Sequence, residues 1–537
     1  MKQSNSWMKG ALYLSLAAFI AKGLSALYKV PYQNLTGDLG FYVYQQVYPI
    51  YGVAFILGSY GIPVVVARMI AEVEMNESSK GETSGRLITL FIFLLFIYST
   101  IGSSLLLYSE HLANMMGDNE LKTAIKWLGL PFFILPFLAV GRGYFQGRNN
   151  MLPTAVSQVG EQFVRVIVII CIAAVVMQSS GDPYMAGISA GAGAFIGGLA
   201  GVFILGHYGN HTISFKDLIK NRPRLFYHQW KSDLRVLIIS GFFLSLSAMA
   251  FVIYQLVDAF MIYRILLQSG VHETTAATLK GIYDRSWPLV QFGAVVTTVF
   301  SYAALPYVTK AHMKNDRTAI QHFVGQSLKV CFVFGGAAAA GLVTIMPSVN
   351  SMLFTNNEGQ GALQLLAVTI LFGSLFMTCA ALLHAVYEPS VAAIVLAVGI
   401  FIKMVGNVVL IPHFDIYGAA TASSISFIMI STYLLAFMKR RGVFRGFKQE
   451  FWKKWAIAIG TMMVVVFVIQ LVVEFILITY LQIPMRIAYT FNALFSSGVG
   501  AVLFLIIIWR NCIFEQDEWE SLPKLPRLLP YKKRIQE

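Results

Sequence analysis

The chain has 537 residues, of which 57% are hydrophobic and only 12% are charged, and its formal net charge is +14. A typical soluble domain carries about 25% charged residues, so this composition excludes an ordinary soluble protein and indicates an integral membrane protein. The positive charge also raises a nucleic-acid interpretation. However, Lys and Arg cluster in short loops between apolar runs, which is typical of the cytoplasmic face of a membrane protein. We therefore expect no nucleic-acid partner.

The apolar runs predict an all-α integral membrane protein. A transmembrane helix needs about 20 apolar residues, and about fourteen such runs recur along the chain. In chain order they lie near 9–29, 43–70, 87–108, 124–145, 152–177, 184–206, 234–262, 286–309, 325–347, 363–386, 390–411, 416–438, 455–476 and 486–509. An even number of spans with basic residues at both ends of the chain predicts a cytoplasmic membrane protein with both termini in the cytoplasm.

Spans one to six and seven to twelve are predicted to form two pseudo-symmetric six-helix lobes. Residues 146–151 open an apolar run that reaches Arg165, and 238 residues later residues 384–389 open one that reaches Lys403. Parallel repeats of this kind place a substrate site between the two halves. The predicted boundaries are 1–206 for the first lobe, 207–233 for a basic linker, 234–438 for the second lobe, 439–454 for a basic loop, 455–509 for spans thirteen and fourteen, and 510–537 for a basic tail.

Four basic residues lie within or at the mouths of these runs: Lys22, Arg165, Arg285 and Lys403. A charge at the bilayer centre costs about 2.5–3.5 kcal/mol on insertion scales, so such residues normally face a protein interior or a water-filled cavity. Cations outnumber acids near the middle of the membrane, and Arg and Lys are the usual ligands of phosphate groups. The pattern therefore predicts a binding site for an anion.

Glu161 is a candidate counter-ion for Arg165 in the first repeat, whereas Lys22 and Lys403 have no candidate acid one turn away on their own helices. Glu161 and Arg165 are four residues apart, hence on one helix face, with the acid in the favourable N-terminal position. That pair is open to a purely structural interpretation as well as a functional one. Lys403 has no acid four residues away, so its partner must come from another helix, water or a ligand, and Lys22 is similarly unpaired.

Two further acids lie near the predicted outer ends of spans seven and eight. Asp258 is near the end of span seven, and Asp284 and Arg285 precede span eight. An inter-helix bridge between Asp258 and Arg285 is one prediction of this arrangement.

The sequence offers weak support for catalysis, a cofactor or a metal site. It contains no Gly-Lys pair and hence no phosphate-cradling P-loop. The four cysteines show no CxxC spacing. We therefore expect a protein that is not an enzyme, with no cofactor and no metal site.

Three segments carry a family resemblance: GDLGFYVYQQVYPIYGVAFILGSYGIPVVVARMIAE at 37–72, GYFQGRNNMLPTAVSQVGEQFVRV at 143–166 and YDRSWPLVQFGAVVTTVFSYAALPYVTKA at 283–311. Together they resemble the polysaccharide-exporter branch of the multidrug/oligosaccharidyl-lipid/polysaccharide superfamily, and within it stage V sporulation protein B-like proteins and lipid II flippases. The resemblance covers essentially the whole chain. It implies two six-helix lobes around a central cavity, with alternating access.

The same resemblance implies roles for particular residues. Lys22 matches a basic position on span one that meets the substrate diphosphate in lipid II flippases, and Arg285 matches an arginine on span eight. Span two departs from that pattern, since 51–60 contains no basic residue; Arg165 and Lys403 are candidates to supply that charge. The last two spans match those that help to form a groove for the lipid tail.

The resulting hypothesis is a flippase for an undecaprenyl-diphosphate-linked saccharide, lipid II being one candidate. Its expected partners are that lipid-linked substrate and membrane lipids, and the chain is expected to be a monomer. A coupling ion or the membrane potential is left open as the energy source.

A drug/cation antiporter of the same fold is an alternative, but such antiporters use carboxylates, often on span one, where this chain has Lys22 and no acid. A membrane glycosyltransferase or polymerase is another alternative, although the loops are short for one, and a non-transporting partner protein is the last.

Overall fold

The computed structural model describes residues 2–75, 80–209, 230–302, 304–386 and 390–520. Helices make up nearly all of these ranges, and no β-strand occurs within them, which confirms the all-α prediction. The predicted basic linker at 207–233 and the predicted tail at 510–537 lie largely outside the described residues.

The chain up to residue 209 is a succession of helices joined by short turns. These helices are α1 (Lys2–Leu27), α2 (Lys29–Ile56), α3 (Ile62–Met75), α4 (Lys80–Leu107), α5 (Ser109–Met116), α6 (Lys122–Leu128), α7 (Leu135–Gly147), α8 (Met151–Ser179), α9 (Pro183–Ala186) and α10 (Ile188–Gly209). A π-helical turn at Leu57–Gly61 joins α2 to α3, and 3₁₀ turns occur at Asn119–Leu121 and Leu130–Phe133.

The described chain after residue 229 continues in the same way. Its helices are α11 (Trp230–Gln268), α12 (Glu273–Asp284), α13 (Ser286–Tyr302), α14 (Leu305–Met313), α15 (Arg317–Phe354), α16 (Gln360–Ala367), α17 (Thr369–Val386), α18 (Ser390–Arg440), α19 (Gln449–Glu474), α20 (Met485–Arg510) and α21 (Gln516–Glu520). A π-helical turn at Phe475–Tyr480 extends α19.

Within the described ranges, 11 helical runs are long and apolar enough to cross a membrane. Two of them, Leu16–Glu72 and Ser390–Arg440, have 57 and 51 residues. A straight helix of that length would measure about 75 Å or more at 1.5 Å per residue, far beyond the hydrocarbon thickness of about 30 Å. Each run therefore supplies two crossings, and α13 adds the predicted eighth span, in agreement with the fourteen-span count.

Non-helical residues mark where these two long runs turn. The backbone is non-helical at Gly37 (φ 69°, ψ −175°) and at Asp415 (φ 49°, ψ −132°). A Cβ on Gly418 would lie 2.4 Å from the carbonyl oxygen of Leu410, so the chain folds back on itself around Asp415. α1 itself ends at Leu27, close to the predicted end of span one at residue 29, and helix resumes at Lys29 as far as the turn at Gly37. In these last turns Tyr32, Gln33 and Thr36 are buried, whereas Pro31, Asn34 and Leu35 are exposed.

A helix break lies at Arg285, where the sequence predicted the entry to span eight. Pro288 has no N–H to donate to the carbonyl of Asp284, and its ring clashes with a carbonyl four residues earlier in a helix. Consequently α12 ends at Asp284 and α13 begins at Ser286.

The first compact unit comprises Met1–Asp284 and Lys403–Ala419. Inside it α10 packs along α8, and the glycines at 193, 197 and 201 recur every fourth residue of α10. A Cβ on Gly197 would lie 2.7 Å from the carbonyl oxygen of Glu161. These glycines therefore bring α10 against the backbone of α8, the close packing that small residues allow in membrane helices.

The second compact unit comprises Arg285–Ile402 and Ala420–Glu537. Within it α15 packs against α13, α17, α19 and α20. Lys329 on α15 pairs with Glu518 on α21 at 2.6 Å. These units are defined by packing, whereas the predicted lobes were defined by the sequence repeat, and the lobe boundaries stay a prediction.

Substitution of Gly197 tests the role of the glycine face. Overpacking of a well-packed interior costs about 1–3 kcal/mol. We therefore expect Gly197→Val to lower the free energy of unfolding of the purified protein by an amount of that order, which a lower unfolding midpoint in detergent would show. Gly206→Val is the matched control, because Gly206 lies on the same helix and a Cβ there meets nothing within 4 Å. Equal losses in both variants would contradict the packing argument.

Candidate functional site

Glu161 is a buried carboxylate on α8 that is shared by two arginines. Nη2 of Arg142, on α7, lies 2.6 Å from Oε2 of Glu161. Arg165, one turn along α8, donates to Oε1 of the same carboxylate, so the structure contains the pair that the spacing predicts. We call Glu161, Arg142 and Arg165 the Glu161 cluster. Two guanidinium groups on one carboxylate give it a formal charge of +1.

Arg165 also contacts aromatic and amide side chains. It donates to the hydroxyl of Tyr51 at 2.8 Å and to Oε1 of Gln162 at 3.2 Å. Its guanidinium carbon lies 4.7 Å from the ring centroid of Phe55. Tyr51 and Phe55 belong to α2, so Arg165 is buried against protein and joins α8 to α2.

Asp258 on α11 is the centre of a second buried network. Its carboxylate accepts from Nζ of Lys403 at 2.7 Å, from the hydroxyl of Tyr283 at 2.8 Å and from Nδ2 of Asn407 at 3.4 Å. Lys403 thus has a partner from another helix, one of the options that the sequence left open. The sequence suggested Arg285 as the partner of Asp258, whereas the structure shows Lys403. Pairing across 145 residues depends on tertiary packing, which no local spacing reveals.

Asp284 forms its own ion pair within α12. Nζ of Lys280, one turn earlier on the helix, lies 2.5 Å from Oδ2 of Asp284, and both side chains are buried. The acid that the sequence placed at a membrane entry is therefore an interior group with a local counter-ion.

Arg285 lies in the second unit, where amide oxygens hold its guanidinium. Nη1 donates to Oδ1 of Asn350 at 3.2 Å and to Oδ1 of Asn356 at 2.7 Å, and the guanidinium lies 5.3 Å from the ring centroid of Phe354. Arg285 is fully buried in this conformation.

Lys22 on α1 differs from the other three predicted cations because its side chain is exposed. It forms no hydrogen bond or ion pair with the part of the chain that the structure describes. Residues at i+4, i+7 and i+11 share a helix face; for Lys22 these are Ala26, Lys29 and Gln33, and all three are buried. Lys22 is therefore an exposed residue in line with a helix face that is buried further along the chain.

Three buried cations were missed by the sequence analysis: Lys29, Arg142 and Lys280. Arg142 lies inside the predicted span 124–145, so it carries the same signal as Arg165, a basic residue within an apolar run. Lys29 was placed at the end of span one and Lys280 before span eight. Both were missed because helix extends beyond the apolar windows.

The buried polar groups described above are mostly cations with carboxylate, amide and tyrosine partners. Within the residues that the structure describes, no three His, Cys, Asp or Glu side chains converge as metal ligands would. Lysine and arginine side chains have the chemistry to hold an anion through charge-assisted hydrogen bonds.

Neutralising Glu161 should be the most damaging single change in its cluster. Glu161→Gln leaves two buried guanidinium groups without a carboxylate, and breaking a buried pair costs about 3–5 kcal/mol. Arg165→Gln is expected to cost less, because Arg142 still pairs with Glu161. Glu72→Gln is the control, since Glu72 forms an exposed pair with Arg68 and such pairs contribute about 0–1 kcal/mol. Unfolding midpoints in detergent measure all three, and a larger loss in Arg165→Gln would contradict the shared-carboxylate interpretation.

Comparison with known proteins supplies the family. A family model described as "Polysaccharide biosynthesis protein" matches residues 7–312. An uncharacterised membrane protein, YabM of Bacillus subtilis (strain 168), is 33% identical over 98% of this chain and 96% of its own length. The lipid II flippase MurJ of the same organism is 23% identical over 97% of this chain and 98% of its length.

Among solved structures, that of a lipid II flippase MurJ in an inward closed conformation superposes with a TM-score of 0.65. It is 14% identical in sequence, and the match covers 94% of this chain and 100% of that one. The likeness shows a shared fold. With more than half of the sequence matched by the family model, the chain belongs to the polysaccharide biosynthesis protein family of membrane proteins.

Proposed function

We propose that this chain is a flippase that moves an undecaprenyl-diphosphate-linked saccharide from the inner to the outer leaflet of the cytoplasmic membrane by alternating access. The observation that carries the proposal is Lys22, an exposed cation on the first membrane helix with no partner among the described residues. A charge in a membrane helix is costly and marks a functional site by default. A diphosphate group is an anion that such a cation would bind.

The charge of the cargo explains why a protein is needed. A sugar diphosphate cannot enter hydrocarbon, whereas its lipid tail remains soluble in the bilayer. Lysine and arginine bind phosphate oxygens through charge-assisted hydrogen bonds, and this interior contains several of them. Lys22 and Arg285 are proposed as the principal diphosphate ligands, with Arg165 and Lys403 as supporting cations that Glu161 and Asp258 partly neutralise.

The last membrane helix offers support for a lipid tail. One face of α20 is a shallow, open apolar surface. It consists of Leu494, Phe495, Gly498, Val499, Val502, Leu503 and Ile506. An apolar surface of this kind suits contact with a lipid tail such as a polyprenyl chain.

The relatives support the class of cargo. The chain aligns over nearly its full length with a protein named lipid II flippase, so lipid II is one candidate among undecaprenyl-diphosphate saccharides. We further propose that the chain acts as a monomer with both termini in the cytoplasm.

A cation antiporter is the weaker alternative. Such a carrier needs a carboxylate that is available to bind Na⁺ or H⁺, and α1 contains no acid. The buried carboxylates of Glu161, Asp258 and Asp284 are each bonded to a lysine or an arginine, whereas that of Asp118 accepts from the hydroxyls of Tyr42 and Tyr184. The same set of groups favours transport of an anion over catalysis.

Flipping in liposomes tests the proposal. Purified protein is reconstituted with labelled lipid II or another undecaprenyl-diphosphate saccharide, and the label that becomes accessible outside is measured over time. Loss of a charge-assisted hydrogen bond of about 1.5–3 kcal/mol should reduce the apparent affinity of Lys22→Ala by about 10- to 100-fold. Lys22→Arg keeps the charge and should keep most of the transport.

Lys453→Ala is the matched control, because Lys453 is an exposed lysine on α19. Arg285→Lys keeps the charge at position 285 and removes the fork of donors, so it should be impaired without loss of protein. Failure of the wild-type protein to move any of these lipids would refute the proposed function. Full transport by Lys22→Ala at normal abundance would refute the role assigned to Lys22 alone.

A further inference from the structure

The loop that joins α18 to α19 is strongly basic, and we call residues 439–448 the 439–448 loop. Half of these residues are Lys or Arg and none is acidic; the basic ones are Lys439, Arg440, Arg441, Arg445 and Lys448. Within the described part of the chain, none of the five pairs with a carboxylate. The acid that follows the loop, Glu450, is bonded to Lys454 at 2.8 Å. The positive charge of the loop therefore has no counter-ion among the described residues.

The backbone of the 439–448 loop is fixed against α15. Gly442 and Gly446 are left-handed, with φ of 72° and 86°, a conformation that glycine adopts without strain. Nε2 of Gln321, on α15, donates to the carbonyl of Gly442 at 2.7 Å. The ring centroid of Phe447 lies 5.8 Å from that of Phe332, which is also on α15. The basic side chains are therefore carried by a packed loop and not by a solvated coil.

Arg445 and Lys439 border the same position, Gly446. Nε of Arg445 donates to Oε1 of Gln321, while its two Nη groups have no partner among the described residues. Nζ of Lys439 would lie 3.7 Å from a Cβ at position 446 and likewise has no described partner. Both side chains are exposed. An oxyanion beside Gly446 would accept hydrogen bonds from both cations.

The 439–448 loop lies at the depth of lipid headgroups. It joins two apolar runs that are long enough to cross a membrane, the first ending at Arg440 and the second beginning at Gln449. Trp452, in the first turn of α19, is 39% exposed, and Nε1 of Trp455 donates to the carbonyl of Phe332 at 2.9 Å. Tryptophan is enriched at the membrane–water interface. The free donors of the loop therefore lie where phospholipid phosphates lie.

The fixed donors distinguish this loop from an ordinary basic loop, which follows the positive-inside pattern and needs no ligand. Gln321 orients Arg445 before a ligand arrives, and such preorganisation reduces the ordering cost of binding. Clusters of about four to eight Lys and Arg next to the cytoplasmic end of a membrane helix are typical binding sites for anionic lipids. The charge, the geometry and the depth of the loop thus favour one kind of ligand.

We propose that the 439–448 loop is a binding site for the phosphate group of an anionic membrane phospholipid, with Arg445 and Lys439 as its ligands. The net negative charge of such a headgroup balances the excess charge of the loop, whereas a zwitterionic lipid already carries its own cation. A bound lipid ties the ends of α18 and α19 to one leaflet. The site takes a membrane lipid and not the cargo, so it is independent of the proposed function.

Lipid titrations of the purified full-length protein in detergent test the site. The probes are short-chain phosphatidylglycerol, phosphatidylcholine of the same chain length and inorganic phosphate, and the rise of the unfolding midpoint with probe concentration reports binding. We expect phosphatidylglycerol to bind most tightly, with lower affinity at higher salt. Lys439→Gln/Arg445→Gln should bind phosphatidylglycerol at least about tenfold more weakly, as loss of a charge-assisted hydrogen bond implies.

Matched variants separate a local site from an effect of net charge. Lys122→Gln/Lys126→Gln removes two exposed lysines of α6, in the first unit, and should match the wild type. Arg445→Lys keeps the charge and should retain more affinity than Arg445→Gln. All of these side chains are exposed, so the midpoints without lipid should be equal; should the double loop variant fail to fold, Lys439→Gln and Arg445→Gln are measured singly.

The remaining outcomes would overturn the site. Equal binding of phosphatidylcholine would show that the headgroup is not recognised, and unchanged affinity of Lys439→Gln/Arg445→Gln would place the lipid elsewhere. An equal loss in Lys122→Gln/Lys126→Gln would reduce the effect to net charge. Inorganic phosphate that binds as tightly as the lipid would assign the loop to a free anion, and displacement of the lipid by hexaglutamate at equal charge would assign it to an acidic protein partner.

Discussion

Taking a charged side chain out of water costs several kcal/mol unless another charge or a set of hydrogen bonds compensates it. The described part of this chain nevertheless buries six basic side chains: Lys29, Arg142, Arg165, Lys280, Arg285 and Lys403. Their compensation joins several helices. Glu161 bonds to Arg142 on α7 and to Arg165 on its own helix α8, and Asp258 on α11 bonds to Lys403 on α18.

Among the described residues of these two networks in the first unit, the basic side chains outnumber the acidic ones. Glu161 serves two arginines, and two aspartates serve three lysines. A protein that only needed stable helix packing would gain by replacing such groups with apolar ones, since buried ion pairs are often no more stable than hydrophobic substitutes. A residual positive charge is instead what a carrier of anions requires before its cargo arrives.

The sequence predicted much of this arrangement, and its errors have identifiable causes. Hydropathy predicted the spans and the interior positions of Arg165 and Lys403, because both residues lie well inside apolar runs; the repeat stays a prediction. Lys29 and Lys280 were missed because helices that pack against protein can be polar. A hydropathy window that selects apolar residues therefore ends before it reaches them. The pair between Asp258 and Lys403 joins two distant helices, and only tertiary packing brings them together.

The central claim is that these cations serve a diphosphate group and not the sugar or the lipid tail. Transport of an undecaprenyl-diphosphate saccharide into the outer leaflet of proteoliposomes should be compared with transport of the same saccharide on undecaprenol without phosphates. The account predicts that the diphosphate form is moved and that the uncharged form neither moves nor competes. Equal transport of the two forms would contradict it.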